Sequence, residues 1–169
     1  MVCAFASSTI YGNNEHQKFL EIIGTPGSGK STLVRIMSAL LGPQQMVSSS
    51  LQKLDNNRFE ILRVINAKLL VCPDEPVHQV QSKIVETLVG DDAVALEAKG
   101  DQQQQDDQQA FRGHLMICAE QPIHLVEGGG ALRRRITINW GGKIRFKDDP
   151  QLLSKLSPYY QAFFDLLCS

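Results

Sequence analysis

The chain has 169 residues, 43% of them hydrophobic and 21% charged, and a formal net charge of −1. This suffices for one compact domain with its own core and excludes general electrostatic attraction to nucleic acid, so any such binding must come from a local patch. Four widely spaced cysteines (Cys3, Cys72, Cys118, Cys168) with no C-x-x-C pair argue against a disulfide framework or zinc site and for a reducing, cytoplasmic setting.

No apolar run approaches the roughly 18 residues of a membrane span, so no membrane association is expected. Residues 1–16 read as an N-terminal arm, loose through Asn14, and residues 17–169 as the folded domain. Phe19-Leu20-Glu21-Ile22-Ile23 is a short β-type run. Gly24-Thr25-Pro26-Gly27-Ser28-Gly29-Lys30-Ser31, followed by Thr32, fits the phosphate-loop pattern G-x-x-x-x-G-K-[ST]. The glycines free the backbone so that successive N–H groups point inward at phosphates. Lys30 places an ammonium on the β- and γ-phosphate oxygens, and the Ser31 hydroxyl suits Mg²⁺. Leu33, Ile36, Met37, Leu40 and Leu41 then follow at helical spacing, so strand, loop and helix N-terminus stand in the required order. The stretch predicts nucleoside-triphosphate binding.

Gly42-Pro43 stops that helix, and Met46 to Ser49 suits a short second strand. Ser48-Ser49-Ser50 offers N-caps for a helical region broken near Asp55-Asn56-Asn57. Lys68-Leu69-Leu70-Val71-Cys72-Pro73-Asp74-Glu75-Pro76 is an apolar strand ending in two carboxylates, at the sheet edge where open α/β folds bind ligands. Beside a phosphate loop it reads as a Walker B element, with Asp74 holding Mg²⁺ through water and Glu75 polarising the attacking water. Cys72 and Cys118, each in an apolar run, read as small core residues.

Val80 to Leu88 predicts a helix ended by Gly90-Asp91-Asp92. Gly100 to Gln109 is a polar, glutamine-rich segment, a solvated hairpin tip or a disordered loop. Lys99 and Arg112 flank it and are the nucleic-acid candidates. His114 to Ala119 predicts a buried strand ended by Glu120-Gln121-Pro122; His114 and His124 read as structural. Gly128-Gly129-Gly130 reads as a flexible loop ahead of Arg133-Arg134-Arg135 and a last strand, Ile136 to Trp140. One of these arginines suits an arginine finger supplied to a neighbouring subunit. Pro150 to Leu167 reads as a closing helix.

In this order the parts resemble the superfamily 3 helicase domain, particularly the poxvirus and phage/plasmid primase-helicase group. The resemblance runs from about Gln17 to Leu167. It rests on Gly24 to Ser31 as Walker A, Leu69 to Glu75 as Walker B, and Lys83 to Asp91 as the stretch similar to K-x-L-T-G-G-D. Glu97-Ala98-Lys99-Gly100 resembles the start of the DNA-contacting hairpin, Phe111 to Pro122 the strand leading to motif C, and Arg133 to Ile136 the arginine-finger stretch. The resemblance implies an AAA+-like P-loop NTPase: a parallel sheet of order 5-1-4-3-2 flanked by helices, with an inserted β-hairpin. It implies a hexameric ring with ATP and Mg²⁺ between subunits, driving single-stranded DNA through the channel during replication of a virus, plasmid or mobile element. Lys30 and Ser31 would bind phosphate and Mg²⁺, Asp74 and Glu75 would serve metal and water, Lys99 would contact DNA, and Arg134 or Arg135 would be the finger. Family members usually carry a primase or origin-binding domain, so a partner of that kind is expected.

Motif C normally ends in an asparagine that senses the γ-phosphate; Glu120 stands there instead. An amide donates and accepts, whereas a carboxylate only accepts. Either Gln121 substitutes, Glu120 pairs with an arginine, or hydrolysis is impaired, in which case the chain is an ATP-binding module that builds a ring or filament on DNA. A small nucleotide kinase is a further alternative, disfavoured by Asp74-Glu75, and a GTPase is disfavoured by the lack of an N-K-x-D motif.

Overall fold

The computed structural model describes residues 1–12, 14–76, 79–90, 110–126, 129–141 and 149–168. Helix α1 (Val2–Tyr11) precedes strand β1 (Phe19–Ile23) and helix α2 (Lys30–Leu41). Strand β2 (Met46–Ser48), helices α3 (Leu51–Asn56) and α4 (Arg58–Val64) and strand β3 (Leu69–Glu75) follow. Next come β4 (Gln79–Gln81), α5 (Ser82–Val89), β5 (His114–Ala119) and β6 (His124–Val126). The described chain ends with α6 (Gly129–Arg134), β7 (Arg135–Asn139), α7 (Leu152–Leu156) and α8 (Tyr160–Cys168).

Parallel strands covered by helices on both faces read as continuous apolar runs, because both sets of alternating side chains are buried. That is the pattern of β1, β3 and β5, the middle of a five-stranded sheet in the order β2-β3-β5-β1-β7, parallel throughout. Phe19, Leu70, Cys72, Leu115 and Ile117 point to one face and pack with Leu51, Leu54, Val64, Val85 and Leu88 from the helices. Leu20, Ile22, Leu69, Val71, Met116 and Cys118 point to the other and pack with Phe5, Ala6, Met37 and Leu167. The result is a three-layer α/β domain, with Cys72 and Cys118 in the core as expected. Strands β4 and β6 form a separate two-stranded parallel ribbon. No helix of the described residues is long and apolar enough to cross a membrane.

Local expectations fail in four places. The first residues are no loose arm: α1 buries Phe5, Ala6 and Thr9 and lies against α8. Ser7 Oγ donates to Leu167 O at 2.7 Å, and Tyr11 Oη to Cys168 O at 2.5 Å. The expected helix from Val80 begins instead at Ser82, because residues 79–81 pair with β6. Of the expected Gly128-Gly129-Gly130 loop, Gly129 and Gly130 open helix α6, whose Ala131 N donates to Glu86 Oε1 at 2.9 Å. A Cβ on Gly130 would lie 2.6 Å from that same oxygen, so a larger residue there would have to displace the Glu86 carboxylate. The closing helix is two, separated by a 3₁₀ turn at Ser157–Tyr159 that contains Pro158; proline lacks the N–H that a continuous helix needs.

The carboxyl end of β3 is irregular in a way that matters for the site. It pairs with β5 in register from Leu69 to Cys72, skips Pro73 and Asp74, and resumes with Glu75 opposite Ala119. Pro73 has no ladder donor to give, and Asp74 takes the left-handed conformation with φ 52°, which aspartate tolerates better than most residues. The bulge pushes Asp74 outward and returns Glu75 to the interior.

Candidate functional site

The five parallel strands end on one edge, and the turn after β1 runs straight into α2. Gly27 (φ 76°) and Gly29 (φ 94°) hold left-handed backbone, Gly29 as the N-cap of α2. Gly24 is required for a different reason: a Cβ there would lie 2.6 Å from the backbone oxygen of Trp140 and 2.8 Å from Ser28 Oγ. Gly24 N donates to Ala119 O at 3.0 Å, tying the loop to the end of β5.

Lys30, the first residue of α2, is only 6% exposed. Its Nζ donates to Gly24 O at 2.6 Å and Thr25 O at 3.2 Å, so the ammonium lies over the loop it belongs to. Two neutral carbonyls hold it there, and an anionic phosphate is a stronger acceptor.

A cavity of about 740 Å³ opens over this loop. Pro26, Gly27, Ser28, Gly29, Lys30, Ser31 and Thr32 form its floor, and Asp74 and Glu120 line it from the ends of β3 and β5. The bulge in β3 and the end of β5 thus bring two carboxylates to the phosphate loop. The Cys118 thiol beneath the site senses two of these charges: burial and then the Asp74 carboxylate push it up to about 11, while Lys30 pulls the other way. Serine hydroxyl and carboxylate oxygens are the hard donors Mg²⁺ takes, one or two per ion, with water completing its shell. Among the described residues no cluster of three or more His, Cys, Asp or Glu could hold a metal; Ser31 and Asp74 fit a magnesium carried in with a triphosphate.

Two charged cavity residues were not anticipated, Arg35 and Asp149. Arg35 stands four residues after Ser31, on the same face of α2, and that spacing was the available signal. Asp149, with Pro150, Leu152 and Leu153, closes the far wall. Its carboxylate is held below the usual range chiefly by a hydrogen bond from Lys155 Nζ at 2.6 Å and then by Gln151 N at 3.0 Å. Nothing in the local sequence marks it.

The remaining expected residues lie elsewhere. Glu75 is 3% exposed and outside the cavity lining; its Oε1 accepts from Leu51 N, at the start of α3, at 2.8 Å. Arg134 donates to Glu86 O at 3.2 Å and to Gln17 Oε1 at 3.0 Å. Arg135 donates to Ile123 O at 3.1 Å and lies 3.6 Å from the buried Glu21 carboxylate. Both guanidinium groups are thus engaged within their own chain, whereas Arg133 beside them is exposed. Arg112 is exposed at the opposite, amino edge of the sheet, where it lines a second cavity of about 460 Å³ with Lys68 and Gly113. Lys99 and the glutamine-rich segment lie outside the described residues.

Residues 22–135, well over half of the chain, match the model of a family of unknown function, DUF5906. The chain is a member of DUF5906. The matched span begins just before the phosphate loop and takes in Asp74, Glu120 and the three arginines. Among solved structures, this DUF5906 chain is similar to apo structures of the NrS-1 C-terminal region. One aligns with TM-score 0.74 at 13% identity over 99% of this chain and 39% of that one. Another aligns with TM-score 0.69 at 15% identity over 99% and 41%. At such identities the likeness concerns the fold alone. The DUF5906 chain spans about two fifths of the length of these relatives.

Proposed function

We propose that the domain is a magnesium-dependent ATPase of the superfamily 3 helicase type, moving single-stranded DNA as part of a ring. The observation that carries this reading is the convergence of the phosphate loop, Asp74 and Glu120 on one cavity at the carboxyl edge of a parallel sheet. The strand order supports it. Numbering only the five strands of the main sheet, the order from β7 to β2 runs 5-1-4-3-2.

In this reading Lys30 leaves the Gly24 and Thr25 carbonyls for the β- and γ-phosphates, and Ser31 and Asp74 hold the metal. Arg133 is favoured over Arg134 and Arg135 as the arginine given to a neighbouring subunit, because moving either of those breaks contacts inside its own chain. The bound metal ion supplies charge neutralisation on the phosphates.

A second reading is favoured by the placement of Glu75 and Glu120. With Glu75 turned inward onto Leu51 N and a carboxylate in place of the sensing asparagine, the domain suits ATP binding that drives assembly on DNA with slow hydrolysis. ATP turnover with and without single-stranded DNA separates the two. The motor reading expects DNA-stimulated turnover, lowered about a hundredfold or more in Lys30→Ala and lowered in Glu75→Gln. Binding without turnover supports the assembly reading. Phosphoryl transfer to an added nucleoside monophosphate, with no effect of DNA, would make it a kinase and overturn both.

A further inference from the structure

Strand β7 ends at Asn139, opposite Ile23, the last residue of β1. The next residue is Trp140, the single tryptophan of the chain. Its backbone N donates to Ile23 O at 2.6 Å, carrying the β1–β7 ladder one step further, to the mouth of the phosphate loop. Its indole Nε1 donates to Ser28 O at 2.9 Å. Its own carbonyl lies against Gly24, close enough to forbid a Cβ there. The ring is half-buried and packs against the apolar cluster beneath α2. One residue from the far edge of the sheet thus touches the first and the middle residues of the loop.

Ser28 O belongs to the peptide unit that joins Ser28 to Gly29. In a planar trans peptide the carbonyl and the following N–H point in opposite directions. An indole that holds Ser28 O on its own side therefore turns the Gly29 N–H away from itself, and Gly29 lines the cavity. On the Gly29 side, where φ is 94°, no Cβ restricts how this peptide turns. A preset donor needs no reorganisation when an anion arrives.

We propose that Trp140 is a positioning residue of the phosphate loop, whose indole N–H sets the Ser28–Gly29 peptide so that the Gly29 N–H faces the phosphates. The proposal rests on the triphosphate-binding reading above and adds to it a side chain more than a hundred residues away in sequence.

The test is calorimetric titration of the full chain with MgATP and, separately, with magnesium pyrophosphate, which shares only the phosphates. Three proteins are compared: the wild type, Trp140→Phe, and a chain carrying 3-benzothienylalanine at position 140, in which sulfur replaces the N–H and the bicyclic ring is kept. One neutral hydrogen bond corresponds to about three- to tenfold in affinity. Both altered chains are expected to bind both ligands weaker by that factor, with the ligand-free melting temperature of the benzothienyl chain within about two degrees of wild type. A benzothienyl chain that binds MgATP as tightly as wild type overturns the proposal. So does a loss confined to MgATP and absent with pyrophosphate, since the effect would then not lie at the phosphates. A wild type that binds neither ligand overturns the triphosphate reading, and this proposal with it.

Discussion

Glu21 illustrates how much one side chain in the middle of a sheet can hold. It is fully buried, and its carboxylate accepts from Ile123 N at 2.8 Å and from Thr137 Oγ1 at 2.8 Å, with Arg135 3.6 Å away. Replacing it by alanine leaves the Ile123 amide and the Thr137 hydroxyl without their acceptor, and Arg135 without its carboxylate. The expected loss for Glu21→Ala is about 3 kcal/mol of unfolding free energy, measured by urea denaturation; a loss below about 1 kcal/mol would contradict this account. The same network keeps Arg135 inside its own chain. A run of three arginines gives no hint of which guanidinium finds a partner 12 or 117 residues away, so sequence alone leaves Arg134 and Arg135 equally available. Trp140 was legible only as the end of a strand for the same reason.

At the scale of elements, the clasp between α4 and β2 gives a pH dependence. Glu60 accepts from Arg63 and from Ser49 Oγ, while Arg63 also donates to Ser48 O at 2.7 Å. These hydrogen bonds, Arg63's first and Ser49's next, bring the Glu60 carboxyl down from 4.5 to about 2. A carboxylate depressed in the folded state adds stability that is fully present above its unfolded value and is lost as pH falls through the folded one. The clasp therefore weakens between about pH 4.5 and 2. The urea midpoint of wild type is expected to fall more steeply across that window than that of Glu60→Gln; equal slopes would contradict the assignment. Elements buried on both faces, β1, β3 and β5, were readable as apolar runs, and the α3–α4 break near Asn57 was readable from its turn residues. Helix α1 was not, because its helical state depends on α8, at the other end of the chain. Strands β4 and β6 are three residues each, too short to show a period. Helix α6 hid behind two glycines, and the approach of one of them, Gly130, to Glu86 exists only in the folded protein.

At the scale of the whole molecule, the phosphate loop and the arginine run lie at different ends of β7, and on the proposed reading a nucleotide bound at the loop would meet Arg133 of a second subunit. Arg133→Ala is expected to leave MgATP affinity of the isolated subunit within about twofold while lowering turnover of the assembled protein by about a thousandfold. Assembly is followed by mass measurement with MgATP present. A strict monomer at micromolar concentration that nevertheless turns over ATP would contradict the shared site. The cavity itself was legible in three of its parts, the phosphate loop, Asp74 and Glu120, because each follows an apolar strand and parallel strands end on one edge. Asp149 was not, since the wall it builds is set by the packing of α7 on α2.

Whether Lys30 and its loop hold a triphosphate is decided by equilibrium binding of MgATP to wild type beside Lys30→Ala. Saturable binding at one site per chain is expected, weakened at least about tenfold in the variant while its melting temperature stays close to wild type. Equal affinity in the two proteins would contradict it.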